Sequence, residues 1–396
     1  MRLLSRMSVP VALLAAALAG PAAASADSGH GRHHDRDYVY LDNNPAGTNT
    51  IAGFARNADG SLTALPGSPF AAGGVGLGAS LGSQGAIQVT GDGRYLLAVD
   101  AGSNQISVLR INDDGSLAPV AGSPFASGGV EPNSIAVSDN LVYVENTGGT
   151  APNYTGFWLG RDSQLTPIPN STVTVAAGSS AELGDVLFNN DGTRLVGVEV
   201  GPTLGPSQID SFRVNRNGTL TAALGSPYPA QGLGPFGSQF SPINPNQFFV
   251  SNAHNGTGLG TVSAFNDAWN GTLSSLGASP FSDHQTAPCW LVISHDGEYL
   301  YALNTASATV SSYSIARDGT LTLIGSSAPV SGITGGGTDI ALSTDDSTLY
   351  LNEASNDTVA AFAVDGGTVT QLPGSPYSTP AGASSAGIAV AEAGSR

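Results

Sequence analysis

Gly91-Asp92-Gly93-Arg94-Tyr95-Leu96-Leu97-Ala98-Val99-Asp100 returns two hundred residues later as His295-Asp296-Gly297-Glu298-Tyr299-Leu300-Tyr301-Ala302-Leu303-Asn304. Each copy continues through an alternating strand (Gln105-Ile106-Ser107-Val108-Leu109-Arg110; Thr309-Val310-Ser311-Ser312-Tyr313-Ser314) and a second Asp-Gly turn. A short strand such as Ser116-Leu117-Ala118-Pro119-Val120 and a Gly-Ser-Pro-Phe exit complete the unit. A unit of about 45 residues that reads strand, turn, strand is the signature of a propeller blade. The strand before the first turn recurs as Ala86-Ile87-Gln88-Val89, Ser134-Ile135-Ala136-Val137, Asp185-Val186-Leu187-Phe188, Ser238-Gln239-Phe240-Ser241, Trp290-Leu291-Val292-Ile293, Asp339-Ile340-Ala341-Leu342 and Gly387-Ile388-Ala389-Val390. Seven copies predict an all-β, seven-bladed β-propeller of four-stranded antiparallel blades. The pattern opens in a second strand, Tyr38-Val39-Tyr40-Leu41, and closes in an innermost one. The C-terminal strand is therefore expected to complete blade 1 and remove the free sheet edge.

The propeller is assigned to residues 38–392, with a tail at 393–396. Ahead of it, Arg2 and Arg6, the apolar run from Val9 to Leu18 and the small residues Gly20 to Ala26 read as a secretory signal peptide over 1–26. Residues 27–37, with His30, His33 and His34, read as a flexible linker, either a solvated tail or an adventitious transition-metal site. The expected location is outside the cell, free or associated with the cell wall. Cys289 is the single cysteine, so no intramolecular disulfide is expected. Acidic residues outnumber basic ones 30 to 13, every basic one is Arg, and the formal charge is −17. Such a balance argues against nucleic acid and anionic membranes as partners, and no segment outside the leader has the length and apolarity to insert in a bilayer. A monomer is expected, with a small molecule or a glycan as the ligand class.

Tyr301-Ala302-Leu303-Asn304 with Ala308-Thr309-Val310-Ser311, and Tyr350-Leu351-Asn352 with Asp357-Thr358-Val359-Ala360, resemble the YVTN-type propeller repeat. The Asp-Gly-Ser-Leu-Thr and Gly-Ser-Pro-Phe elements resemble the lactonase family, which includes 6-phosphogluconolactonase and carboxymuconate-lactonising enzymes. That resemblance covers nearly all of Tyr38 to Glu392 and implies a lactone hydrolase, a class of carboxylic ester hydrolase. It also implies His and Arg where the innermost strands begin, and here the chain departs. The corresponding segments, among them Gln84-Gly85-Ala86, Leu183-Gly184-Asp185 and Pro288-Cys289-Trp290, contain neither. A phosphorylated sugar acid needs cationic partners, so uncharged lactones are the expected substrates.

The face where innermost strands begin and second strands end, here called the upper face, is the expected ligand mouth. Second-strand ends read in order as Asp42, Asp100, Glu145, Glu199, Ser251, Asn304 and Asn352. Asp42, Asp100, Glu145 and Glu199 would form an acidic half-ring. With no Arg nearby, Ca²⁺ or another divalent cation is the sharp expectation, and hydrogen bonds within each turn the plain one. No organic cofactor is expected. For hydrolysis, Glu182 and Asp185 at one strand start and His254 in a neighbouring loop are the candidates to activate water. Glu131, Asp339 and Trp290 are candidate ligand contacts, although Trp290 could equally pack between blades. Cys289 reads as a small buried residue, and His284 and His295, in a connection and a turn, receive no role. The alternative function is a non-catalytic extracellular scaffold that binds a protein or glycan.

Overall fold

Second strands such as Tyr95–Asp100 and Leu141–Asn146 are buried at every position, so each sheet must be covered on both sides. A ring of sheets meets that demand. The computed structural model describes residues 37–176, 181–201, 207–330, 337–379 and 384–392. The leader, the linker through residue 36 and the 393–396 tail lie outside the described residues. Seven sheets each contain a four-stranded antiparallel meander, and in six of them a further short strand pairs with the third strand.

Innermost strands of blades 1 to 7 are Gly387–Glu392, Ile87–Val89, Pro132–Ser138, Leu183–Phe188, Pro235–Phe240, Pro288–Ile293 and Gly337–Leu342. Second strands are Asp37–Asp42, Tyr95–Asp100, Leu141–Asn146, Arg194–Glu199, Gln247–Asn252, Tyr299–Asn304 and Thr348–Glu353. Asp37, expected at the end of the linker, opens the first of these. As expected, the C-terminal strand pairs antiparallel with the first, from Asp37 opposite Glu392 to Asp42 opposite Gly387. Arg56 spans this seam, 3.0 Å from Asp345 of blade 7 and 3.7 Å from Asp37 of blade 1.

The core is a set of layers between blades. Val142, Val144 and Phe157 of blade 3 meet Leu97, Val99 and Val108 of blade 2, whereas Tyr143 and Tyr154 of blade 3 pack with Val186 and Leu195 of blade 4. A second-strand tyrosine then ties each of three blades to the next by donating to the Gly carbonyl of its outer turn. Tyr40 reaches Gly115 at 2.7 Å, Tyr143 reaches Gly218 at 2.8 Å and Tyr350 reaches Gly60 at 2.9 Å. The Gly-Ser-Pro-Phe/Tyr exit has its own local reason. Its Ser Oγ accepts a third-strand N–H, as in Ser123 to Val108 at 2.9 Å and Ser279 to Ala264 at 2.7 Å, and its aromatic residue starts the added strand.

Candidate functional site

Pairing registers place the expected half-ring in two different rows. The last residue of the second strand opposes the first of the third in blades 2, 4 and 6 (Asp100–Gln105, Glu199–Gln208, Asn304–Thr309), and Asn146–Asn153, Asn252–Thr261 and Glu353–Thr358 continue that row. Asn43, which donates to Thr50 at 3.0 Å, completes it in blade 1. Glu145, Ser251 and Asn352 sit one residue earlier, as does Asp42. A shift of one residue turns a strand side chain to the other face of its sheet. Thus Asp42 faces Asp100 across the interface of blades 1 and 2, and Glu145 turns to the interface of blades 3 and 4, where the charges of Asp185, Asp210 and Glu199 act on it.

None of these four carboxyls is open to solvent; all are 0 % exposed. Connecting loops roof them. A Cβ on Gly74 would run into the Asp100 carboxyl, and one on Gly129 would lie 2.5 Å from Asn146. Asp100 accepts from Ser107 at 2.6 Å and Asn49 at 3.0 Å; burial outweighs these bonds and raises it to about 6. Burial, then the neighbouring Asp100 charge, pushes Asp42 well above the usual carboxylate range. Glu145 is raised by burial and by the Asp185 charge. Glu199 is raised to about 8 by burial and then by the Asp210 charge, and Asp210, which accepts from the Tyr154 hydroxyl at 3.0 Å, is raised by burial as well. The acids meet across blade interfaces, and among the described residues no three His, Cys, Asp or Glu side chains are placed to hold a metal ion. No step is derived through a cation.

The expected catalytic trio is also dispersed. Glu182 is exposed, whereas Asp185 is 3 % exposed inside the ring. Asp185 accepts from Ser238 N at 3.0 Å, Ser238 Oγ at 2.8 Å and Ser134 Oγ at 3.3 Å, which joins blades 3, 4 and 5. His254 is half-buried above Gly234, and its Nδ1 has no hydrogen-bond partner among the described residues. Glu131 is half-buried in a left-handed conformation (φ 55°), with its N–H given to Asn104 at 2.8 Å. Trp290, 4 % exposed, packs edge-on against Phe236 and donates Nε1–H to Ser83 O at 3.0 Å. Its ring is thus a packing surface. Burial pushes the Cys289 thiol up to about 12, which suits the reading of a small buried residue.

A further element that the sequence did not announce closes the upper end of the channel. Gln84 gives its side-chain amide to Leu291 O of blade 6 at 2.7 Å and accepts Leu291 N–H at 3.2 Å, while its own N–H reaches Gly184 O of blade 4 at 2.8 Å. Gly237 is required beside it, because a Cβ there would run into Gln84 Oε1. Below this brace lies a central cavity of about 370 Å³. Its lining mixes apolar side chains such as Ile87, Phe240, Ile293 and Leu342 with the polar Gln84, Gln88, Gln239 and Asp339. Asp339 is 2 % exposed, accepts from Ile340 and Ile388 N–H, and is raised by burial despite them. The cavity opens at the lower face, where Pro242 and His295 stand at its rim. There His295 Nδ1 lies 2.6 Å from Asp346 Oδ1, and Asp346 Oδ2 accepts the His295 N–H at 2.8 Å. Sequence reading missed this pair because its members occupy the turns of two different blades.

Known structures share this architecture. A candidate 6-phosphogluconolactonase from Bacteroides uniformis superimposes with a TM-score of 0.72 at 17 % identity, over 91 % of this chain and 100 % of that one. One from Bacteroides fragilis gives 0.70 at 18 % identity over 90 % and 98 %. The periplasmic gluconolactonase of Pseudomonas aeruginosa gives 0.69 at 17 % identity over 91 % and 100 %. The chain has the fold of these lactonase-type propellers. No protein-family profile matches it, and no curated protein does.

Proposed function

We propose that this propeller is an exported, monomeric lactone hydrolase for uncharged lactones, and that its chemistry takes place in the central cavity. The observation that carries the reading is the cavity lining: apolar side chains interleaved with three neutral amides, Gln84, Gln88 and Gln239, with Asp339 inside, His295 at the rim and no Arg. Such a lining suits a neutral ring and offers a phosphate no guanidinium or ammonium partner. The names of the similar gluconolactonases support the reaction class, and the leader at 1–26 supports export. A divalent cation would have to sit in one of the two buried acid groups. The non-catalytic scaffold is favoured by one observation, the Gln84 brace across the upper mouth.

Turnover of a panel of uncharged and phosphorylated lactones, followed as acid release with Ca²⁺ and with chelator, tests these readings together. Hydrolysis of uncharged lactones alone is expected. Silence on the whole panel under both conditions would leave the scaffold.

A further inference from the structure

The turns that end the innermost strands hook each blade to its neighbour, and elsewhere an amide or a hydroxyl is the side-chain donor, even where the acceptor is a carboxylate. Asn190 donates to Pro242 O at 2.6 Å, and Thr344 donates to Asp37 through its N–H at 3.0 Å and its hydroxyl at 2.6 Å. The blade 6 hook is different. His295 offers its backbone N–H and Nδ1 to the two oxygens of one carboxylate, which fixes the imidazole plane and the Nδ1–H tautomer. Nε2 makes no hydrogen bond among the described residues, and the side chain is 60 % exposed at the cavity rim. A carboxylate acceptor alone makes a hook, as Thr344 on Asp37 shows, and a hook has no use for a second ring nitrogen. An oriented base needs that nitrogen free with the acid behind the first.

We infer that His295, oriented by Asp346, is the general base for lactone hydrolysis in the central cavity, acting from the lower face rather than the upper one. The inference rests on the lactonase reading above. His295 Nε2 takes a proton from a water whose oxygen adds to the lactone carbonyl carbon, giving a tetrahedral oxyanion. Collapse of that oxyanion breaks the ring C–O bond, and the departing alkoxide takes the proton back from Nε2. The hydroxy acid leaves, and the imidazole is neutral again. Asp346 touches no reacting atom; it is a positioning residue. The lactone is expected to enter with its apolar edge against Ile293 and Leu342, within reach of the neutral amides of Gln88 and Gln239.

The test compares the mature wild type with His295→Gln, His295→Ala and Asp346→Asn on the uncharged lactones. The expected result is a fall in kcat of about 100-fold or more for His295→Gln with KM little changed. Partial rescue of His295→Ala by imidazole in the buffer, and an altered acid limb of the rate–pH profile for Asp346→Asn, are expected as well. A hook alone would lower the unfolding midpoint and leave kcat and its pH profile in place. Wild-type turnover retained in His295→Gln overturns the inference and spares the lactonase reading. A wild type silent on every lactone overturns both.

Discussion

The Asp185 carboxylate is surrounded by donors from two other blades, Ser134 and Ser238, with bonds of 2.8 to 3.3 Å. Burial still raises it to about 7, so it works as an internal strut rather than a solvent-facing base. Glu182, three positions earlier, points outward. Asp185→Ala strands the Ser238 N–H in the interior and is expected to lower stability by about 1–3 kcal/mol. Glu182→Ala is expected to stay within about 0.5 kcal/mol. Urea unfolding of the two single variants checks this, and equal effects would mean that the two carboxyls act as a unit after all. The pair was legible as acids at a strand start but not as a strut and a bystander, since Glu182 stands just before the strand Leu183–Phe188 and Asp185 follows a register shift within it. Nothing in the spacing of residues announces that shift.

At the scale of the blade, the row at the end of the second strand follows a rule. Its Asn donates to the first residue of the third strand: Asn252 to Thr261 at 2.9 Å and Asn304 to Thr309 at 3.1 Å. In the same two blades it also reaches a hydroxyl two residues on, Ser263 or Ser311, at 2.8 Å. Blade 7 breaks the rule. Glu353 replaces Asn, Ala360 replaces Ser, and both Glu353 oxygens and Thr358 Oγ1 are buried with no hydrogen-bond partner among the described residues. Burial alone raises Glu353 to about 8. Glu353→Asn/Ala360→Ser copies blade 6 and is expected to stabilise the protein by about 1–2 kcal/mol at pH 8. A drop in the urea midpoint would mean that Glu353 has a partner of its own. The strands and their order were readable here because alternation and Asp-Gly turns are local signals. The row was not, because second strands aligned by their apolar residues slip by one position in blades 1, 3, 5 and 7, and one position decides which blade a side chain faces.

For the whole ring, the carboxyls on the upper side set the dependence of stability on pH. Asp42, Asp100, Glu145, Asp185, Glu199, Asp339 and Glu353 are all raised, with burial the first cause in each. A raised carboxyl binds its proton more tightly folded than unfolded. Its contribution is therefore fully present below the unfolded value near 4 and is lost as pH climbs through the folded one, about 6 for Asp100, 7 for Asp185 and 8 for Glu199 and Glu353. Each group in its window tilts stability by up to about 1.4 kcal/mol per pH unit. Asp59, Asp114, Asp318 and Asp345 work the other way, since turn hydrogen bonds hold them low and their contribution is lost only as pH falls below the usual carboxylate range. Self-repulsion of a chain with formal charge −17 adds to the alkaline penalty. The stability maximum is accordingly expected near pH 4 to 5, with a urea midpoint that falls steadily from pH 5 to pH 8. A midpoint that rises over that range would show that the buried acids ionise against a compensating cation. In that case chelator would lower the midpoint at pH 8 in the wild type, and whichever of Asp42→Asn/Asp100→Asn and Glu145→Gln/Glu199→Gln removes the cation's acids would be indifferent to it.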